Sequence, residues 1–565
     1  MKTLLLALSL CLIVSCNTSN KSTSSLSDHI PDATSIVLEI NDIETFKSDI
    51  KNSDLLSRLS ISDRYKAIKN QLETLNQLKT SHPVLLCIIK NKDSLDYTLI
   101  TRVTDSLFGK TPIDSLRLYS KIQDSILVAS NFKKNIGNTS STSTASFNRL
   151  KFPIDENNTL SAVLHSNNAS ILEDFFNLSF TSESKTNLTL ETEVTPDYLQ
   201  FNGVAMALDS TISLPNTFKN TLPLENSIQQ IAPESAEGFI SLTFNDFGRF
   251  YQNILAYQVT KQDSINNLAL FETLNEIGEV YTIQDTVLVL KSIDAFTTKD
   301  ALIEHQDVIE TYRDVDILSF DEPDLFRSVL GGLISNDSLT HYTVIDDFFV
   351  FGKSTNALKP IIGNYRNQTT LSNSDSFKAS MEYLSDESSV LFVCNSNKLK
   401  SALSRVLNSE LNNVDVKSYD ISAFQLVQDD GFAHFNGIIS KTPSKSQSNT
   451  VSEEFSVTLD AEVLMAPHFI DNHRTGQKDI VVQDINNVLY LISNSGKVLW
   501  KKQLRDPILG RMQQVDLYKN GRLQMAFATP NRVYVLDRNG QDVAPFPLNF
   551  NDEITQHFID WLVCV

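Results

Sequence analysis

An α+β fold follows from three patterns in this 565-residue chain. Short runs of β-branched and aromatic residues alternate with stretches of 3.6-residue apolar period, the mark of strands mixed with amphipathic helices. Five such segments recur in the same order some 204 to 234 residues later, so most of the chain reads as two copies of one module. Past residue 452 the texture changes to strands and glycine turns with a 44-residue period. The expectation is tandem duplicated modules of mixed or antiparallel sheet with helices, followed by an incomplete β-propeller of about two blades.

The first element is a leader. Lys2 precedes an eleven-residue apolar stretch, Leu4 to Val14, too short to cross a bilayer, which needs about 20 residues. It has the anatomy of a secretory signal with cleavage before Cys16. Ser15-Cys16 at that position resembles the lipobox of bacterial lipoproteins. The resemblance covers this segment alone and implies acylation of Cys16, export, and anchorage in the bacterial cell envelope, with the outer membrane expected and the inner membrane left open. Residues 1–15 are then the signal peptide and 16–28 the lipidated cysteine with a flexible tether. Asn17 to Ser27 are nearly all Ser, Thr and Asn, a composition that cannot build a core. Eleven such residues reach at most about 40 Å.

The two modules are read at 29–220 and 221–441. Ile36-Val-Leu-Glu-Ile-Asn41-Asp42 matches Phe239-Ile-Ser-Leu-Thr-Phe-Asn245-Asp246. In each, a strand gives way at Asn-Asp to a helix, since these side chains accept the free first-turn N–H groups. Ile30-Pro31 likewise matches Ile231-Ala-Pro233. Ser125–Ala129 matches Asp347–Phe351, and Leu160–Leu164 matches Ser389–Val393. Phe201-Asn-Gly203 closes the first copy as Phe435-Asn-Gly437 closes the second. Helices are expected over Ile61 to Leu78 and Leu399 to Leu407. Ala423–Val427 and Ala433–Ile439 form a hairpin about Asp429-Asp430-Gly431. This order of elements resembles a group of secreted bacterial (Bacteroidota-type) α+β lipoproteins, over most of 29–441, and implies no particular activity.

Residues 442–452 are a linker by composition, and 453–565 the partial propeller. Tyr490 and Tyr534, like Gly496 and Gly540, stand 44 residues apart, a blade-like period. These pieces resemble quinoprotein-like and FG-GAP-like blades. His468-Phe-Ile-Asp471 recurs as His557-Phe-Ile-Asp560, after which Trp561 to Val565 replace the expected turn. Propellers close with roughly four or more blades, so the reading is of a truncated form of a longer protein.

The net charge of −20 repels phosphate backbones, so a nucleic-acid partner is not expected. Hydrophobic residues at 41%, with 32 phenylalanines, suffice for true cores. Of five cysteines, Cys87 and Cys394 lie in strand-like apolar runs and read as buried hydrophobes. No CxxC, HExxH, GxSxG or phosphate-binding glycine loop occurs.

One constellation has ligand spacing. Asp471-x-His473-x-Thr475-Gly476-x-x-Asp479 matches the DxDxDGxxD calcium loop of FG-GAP-like blades, with His and Thr in place of two carboxylates. Asp471, His473, Thr475 and Asp479 are therefore the metal candidates, for a degenerate site where the ion, if any, is calcium; no other cofactor is expected. Eight Asp-Ser/Thr triplets, against about three expected from composition, resemble the O-glycosylation acceptor of Bacteroidota. Ser94, Ser106, Ser115 and Ser338 are the acceptors to inspect. The functional expectation is a lipid-anchored cell-envelope scaffold with no catalytic residues, held to the membrane through Cys16 and engaging a protein partner. A surface binder of glycan or another extracellular ligand is the alternative, and an unrecognised hydrolase a third.

Overall fold

The structure, a computed structural model, describes residues 24–90, 95–104, 107–108, 118–137, 160–164, 171–178, 186–207, 213–257, 268–305, 307–335, 338–407, 410–441 and 455–554. The leader, Cys16, the linker 442–452 and the recurrence at His557 lie outside these residues.

The first half supplies β1 (Ile36–Ile40), β2 (Val84–Lys90), β3 (Leu95–Arg102), β4 (Tyr119–Gln123), β5 (Ile126–Ser130), β6 (Leu160–Leu164), β7 (Thr186–Val194) and β8 (Tyr198–Ala207). The second half starts with β9 (Leu224–Glu225), β10 (Gly238–Thr243), β11 (Leu274–Tyr281), β12 (Thr286–Ser292), β13 (Val308–Tyr312) and β14 (Val315–Ser319). It continues with β15 (His341–Ile345), β16 (Phe348–Gly352), β17 (Glu387–Ser388), β18 (Val390–Cys394), β19 (Ser422–Gln428) and β20 (Ala433–Ser440). Except for the small β9–β17 ladder, these strands form one 18-stranded sheet, every pairing of which is antiparallel.

Its spatial order is β4-β5-β3-β2-β1-β6-β7-β8, then β20-β19-β18-β10-β11-β12-β16-β15-β14-β13. Read inward from each outer end, the halves pass through equivalent positions, except that β13-β14 is an additional hairpin in the second. The paired sequence segments fall on equivalent strands: β1 with β10, β5 with β16, β6 with β18, β8 with β20.

The halves meet where β8 pairs with β20. Phe201 lies opposite Gly437, Asn202 opposite Asn436, and Gly203 opposite Phe435. The two Phe-Asn-Gly motifs thus pair with each other about a local two-fold between the asparagines. Gly437 is required there, because a Cβ would come within 2.5 Å of the Phe424 ring.

Both faces of the sheet are covered, which is why β5, β16 and β18 read as nearly continuous apolar runs and, with β10, are buried throughout. One apolar core crosses the seam, joining Leu188, Leu199 and Ala205 of the first half to Phe392, Phe424 and Phe435 of the second. The helices Ile43–Asn52 and Phe247–Tyr257 begin at the expected caps: Asp42 accepts from Glu44 and Thr45 N–H at 3.0 Å, Asp246 from Arg249 N–H at 2.9 Å. The Ile61–Leu78 stretch instead breaks into Asp63–Gln71 and Thr74–Gln77. Leu75 and Leu78 are drawn into the core beside Tyr97, whose hydroxyl is 3.2 Å from Thr74 Oγ1, and burial there outweighs helix continuity.

The C-terminal region forms two antiparallel four-stranded meanders. The first holds β21 (His468–Asp471), β22 (Lys478–Gln483), β23 (Val488–Ile492) and β24 (Val498–Gln503). The second holds β25 (Leu509–Val515), β26 (Gln524–Thr529), β27 (Arg532–Leu536) and β28 (Leu548–Asn549). No closed barrel or propeller is formed among the described residues. Leu489, Leu491, Met525 and Phe527 make a core between the two sheets. Trp500 of the first sheet donates through Nε1 to Arg538 O at 2.7 Å, and its ring lies against Gly540. The turn 44 residues earlier packs the same way, with Gly496 against Phe455 and Pro196. The repeat therefore extends to how each turn docks on what precedes it.

Candidate functional site

The loop carrying the metal candidates is the turn between β21 and β22. Asp471 and Lys478 are cross-strand partners, and their side chains form an exposed ion pair at 2.7 Å. Asp479, one residue beyond Lys478, points to the opposite face. It is buried, with Oδ2 3.1 Å from the Arg538 guanidinium. His473 is half-buried and Thr475 exposed. The loop is closed by Asn472, whose Oδ1 accepts from Arg474 and Thr475 N–H at 3.0 and 3.3 Å. Hairpin alternation thus brings His473 and Thr475 into one turn but separates Asp471 from Asp479. Among the described residues, no three His, Cys, Asp or Glu groups gather as metal ligands.

The corresponding turn of the second sheet lies beside it. Asp516 accepts from Asn520 and Gly521 N–H at 3.1 and 2.8 Å, and these bonds hold its carboxyl below the usual range. Leu523 N–H donates to His473 Nδ1 at 3.4 Å. The Gln514 side chain of β25 donates to Asp471 O and accepts from its N–H. The two turns are thereby fixed side by side.

A groove of about 410 Å³ opens between the β14–β15 strands and the helix Thr355–Asn367, lined among others by Lys299, Asp316, Tyr342, Asp346, Tyr365 and Arg366. Tyr365 donates to Asp346, and that bond, with burial, raises the phenol above its ordinary range. The pair therefore supplies no phenolate nucleophile at neutral pH. No sequence motif marked this groove, because its lining comes from separate stretches of chain between Lys299 and Arg366.

Two buried acids also escaped the sequence reading. Glu276 accepts from Ser227 and Ile228 N–H and from Ser241 Oγ, and burial pushes its carboxyl up. Glu279 accepts from the N–H and hydroxyl of Ser335 at 2.8 and 2.7 Å. Both tie loops to the sheet. Cys87 and Cys394 are buried free thiols, as their apolar runs suggested. Ser338 is exposed at a φ of 58°, while Ser94, Ser106 and Ser115 lie outside the described residues.

No family model matches the chain, and no curated protein matches it. Among solved structures, crystal form I of TP0453 aligns with 8% identity over 35% of this chain and 84% of its own, at a TM-score of 0.21. A likeness that loose carries no argument.

Proposed function

We propose that this protein is a lipid-anchored component of a bacterial cell envelope that works by binding, as a scaffold for a protein partner. The observation that carries the reading is Ser15-Cys16 at the end of the apolar run Leu4 to Val14, followed by eleven mostly small polar residues. A chain so built is held at a membrane by one modified cysteine, and two acyl chains suffice for stable anchoring. Two copies of one α+β module form the body, a reading supported by the matched strand order and the paired Phe-Asn-Gly motifs. The C-terminal sheets are two propeller-type blades, supported by the 44-residue repeat and its recurring turn contacts.

Labelled fatty acid and a crosslinked pull-down test this directly. Wild type is expected to incorporate label and sediment with envelope membranes, whereas Cys16→Ser is unlabelled and released. Equal labelling of both forms would overturn the anchor. A reproducible stoichiometric protein partner supports the scaffold, while retained carbohydrate without protein would replace it with a glycan-binding role.

A further inference from the structure

The N-terminal segment joins the body on one face of the first half. Ser24 opens the described chain, and its carbonyl accepts from Arg102 Nη2 at 3.5 Å. The single turn Leu26–His29 follows, and Leu26 packs on the small core of Val37, Leu85, Ile100, Ile126 and Val128. Strand register places other groups on this same face, because directly opposed residues stand on one side of a sheet. Arg102 and Gln123 are both opposite Ile126, and Lys121 is opposite Val128. Tyr119, two residues before Lys121, shares its side by alternation and is opposite Ser130. The turn Lys133–Asn135 reaches the same core through Ile136.

Aromatic rings and lysines therefore gather where the tether enters. β4 is exposed at every residue. Tyr119 is 50% exposed, and Phe132, two residues past Ser130, is 41% exposed. Lys121, Lys133 and Lys134 are exposed, and among the described residues none of them forms an ion pair. From Leu118 to Gly137 these three lysines stand against one acid, Asp124, in a chain of net charge −20. Asp28, beside the tether entry, turns its carboxylate back onto Ser25 N–H at 2.8 Å.

We propose that this face rests on the anionic headgroup layer of a phospholipid bilayer. Tyr119 and Phe132 lie at the boundary between headgroups and acyl chains, and Lys121, Lys133 and Lys134 meet lipid phosphates. The contact rests on the lipid anchor at Cys16 proposed above. Ser24 stands eight residues after that cysteine, so the tether entry is held within roughly 28 Å of the bilayer. The face that carries the entry is thereby brought to the membrane, and its charge is the one an anionic surface attracts. Amphipathic aromatic rings favour that boundary, and a basic patch is a recognised second signal beside an acyl chain.

Hydrogen–deuterium exchange of the lipidated full-length protein tests the contact, on phosphatidylcholine vesicles with and without phosphatidylglycerol. Peptides covering Tyr119–Gln123 and Phe132–Gly137 should exchange about fivefold more slowly on the anionic vesicles, and high salt should remove the difference. K121Q/K133Q/K134Q should stay attached to the vesicles and lose this protection. The other outer edge, Val308–Tyr312, should exchange alike on both vesicles. Wild type that attaches while its β4 peptide exchanges alike on both vesicles would overturn the proposal. Protection by soluble envelope extract in place of vesicles would assign the face to a protein and overturn it equally. Wild type that takes up no fatty acid and does not sediment with vesicles is a distinct result: it removes the anchor, and this contact with it.

Discussion

Replacing Asp49 by asparagine should make the protein more stable at pH 8 and leave it nearly unchanged at pH 4. Asp49 lies on the helix Ile43–Asn52 where it packs on the C-terminal region: Lys51 Nζ donates to Leu459 O at 3.2 Å, and Thr458 N–H to Asn52 Oδ1 at 2.8 Å. Its side chain is buried, and that burial lifts its pKa from 3.8 to about 7. Lys497 and Lys501 favour the charged form, while Asp42 and Glu193 oppose it. A carboxyl whose folded value is raised binds its proton more tightly in the native state. Its contribution is therefore full below about pH 4 and is lost as pH rises to about 7. Some three pK units at 1.36 kcal/mol each bound the loss at about 4 kcal/mol. Asparagine keeps the shape and cannot ionise. Urea unfolding followed by tryptophan fluorescence, at pH 4, 6 and 8, reads the difference between the two proteins. The gap should open between pH 4 and 7 and reach about 2 to 4 kcal/mol in favour of the Asp49→Asn variant. A gap that does not vary with pH would show that the carboxyl is hydrated and the interface looser than described.

Two further outcomes follow from the packing. Gly437→Val drives a side chain into the Phe424 ring of the neighbouring strand β19 and should cost about 1 to 3 kcal/mol, seen as a lowered thermal midpoint; an unchanged midpoint would mean that β19 and β20 are not packed this closely. Burial pushes the Cys87 thiol up to about 12 and raises Cys394 as well, so neither should react with a thiol reagent at pH 8 until the protein unfolds. Mass spectrometry of alkylated peptides checks this residue by residue.

The fold class and strands such as β1, β16 and β18 were legible because each is a short apolar run closed by Asn or Gly, at Asn41, Gly352 and Asn395; exposed or polar strands such as β4 were not. The two Asp N-caps were legible for the same reason: their role is local, set by residues two and three positions ahead. What the sequence could not disclose is contact between distant segments. Asp49 looks like any helix aspartate until Lys497 and Lys501 are brought opposite it. Likewise, the calcium-like spacing of Asp471 and Asp479 says nothing of strand alternation, which turns their side chains to opposite faces, nor of Arg538, which arrives from 59 residues away.

The seam explains how so long a sheet stays contained. Each half ends in an inner strand, β8 or β20, whose unpaired backbone would template association. Pairing them satisfies both edges at once and extends one core across the joint. Among the described residues, two outer edges then remain. β4 carries Lys121 in a wholly exposed five-residue strand, and short strands with lysine pair poorly with other chains. β13 is interrupted by a bulge between Val308 and Glu310, and Glu310 is held by Lys359 at 2.8 Å. A bulge twists an edge out of register with an incoming strand. The same pattern holds at the C-terminal sheets, whose outer faces are covered by chain segments: Phe455, Val457 and Leu459 on one, Val543, Phe546 and Phe550 on the other. Internal contacts thus cover the apolar faces at the seam and between the C-terminal sheets, while Ile293 and Phe296, at 72% and 82% exposure, stay open beside the helix Ala295–Ala301.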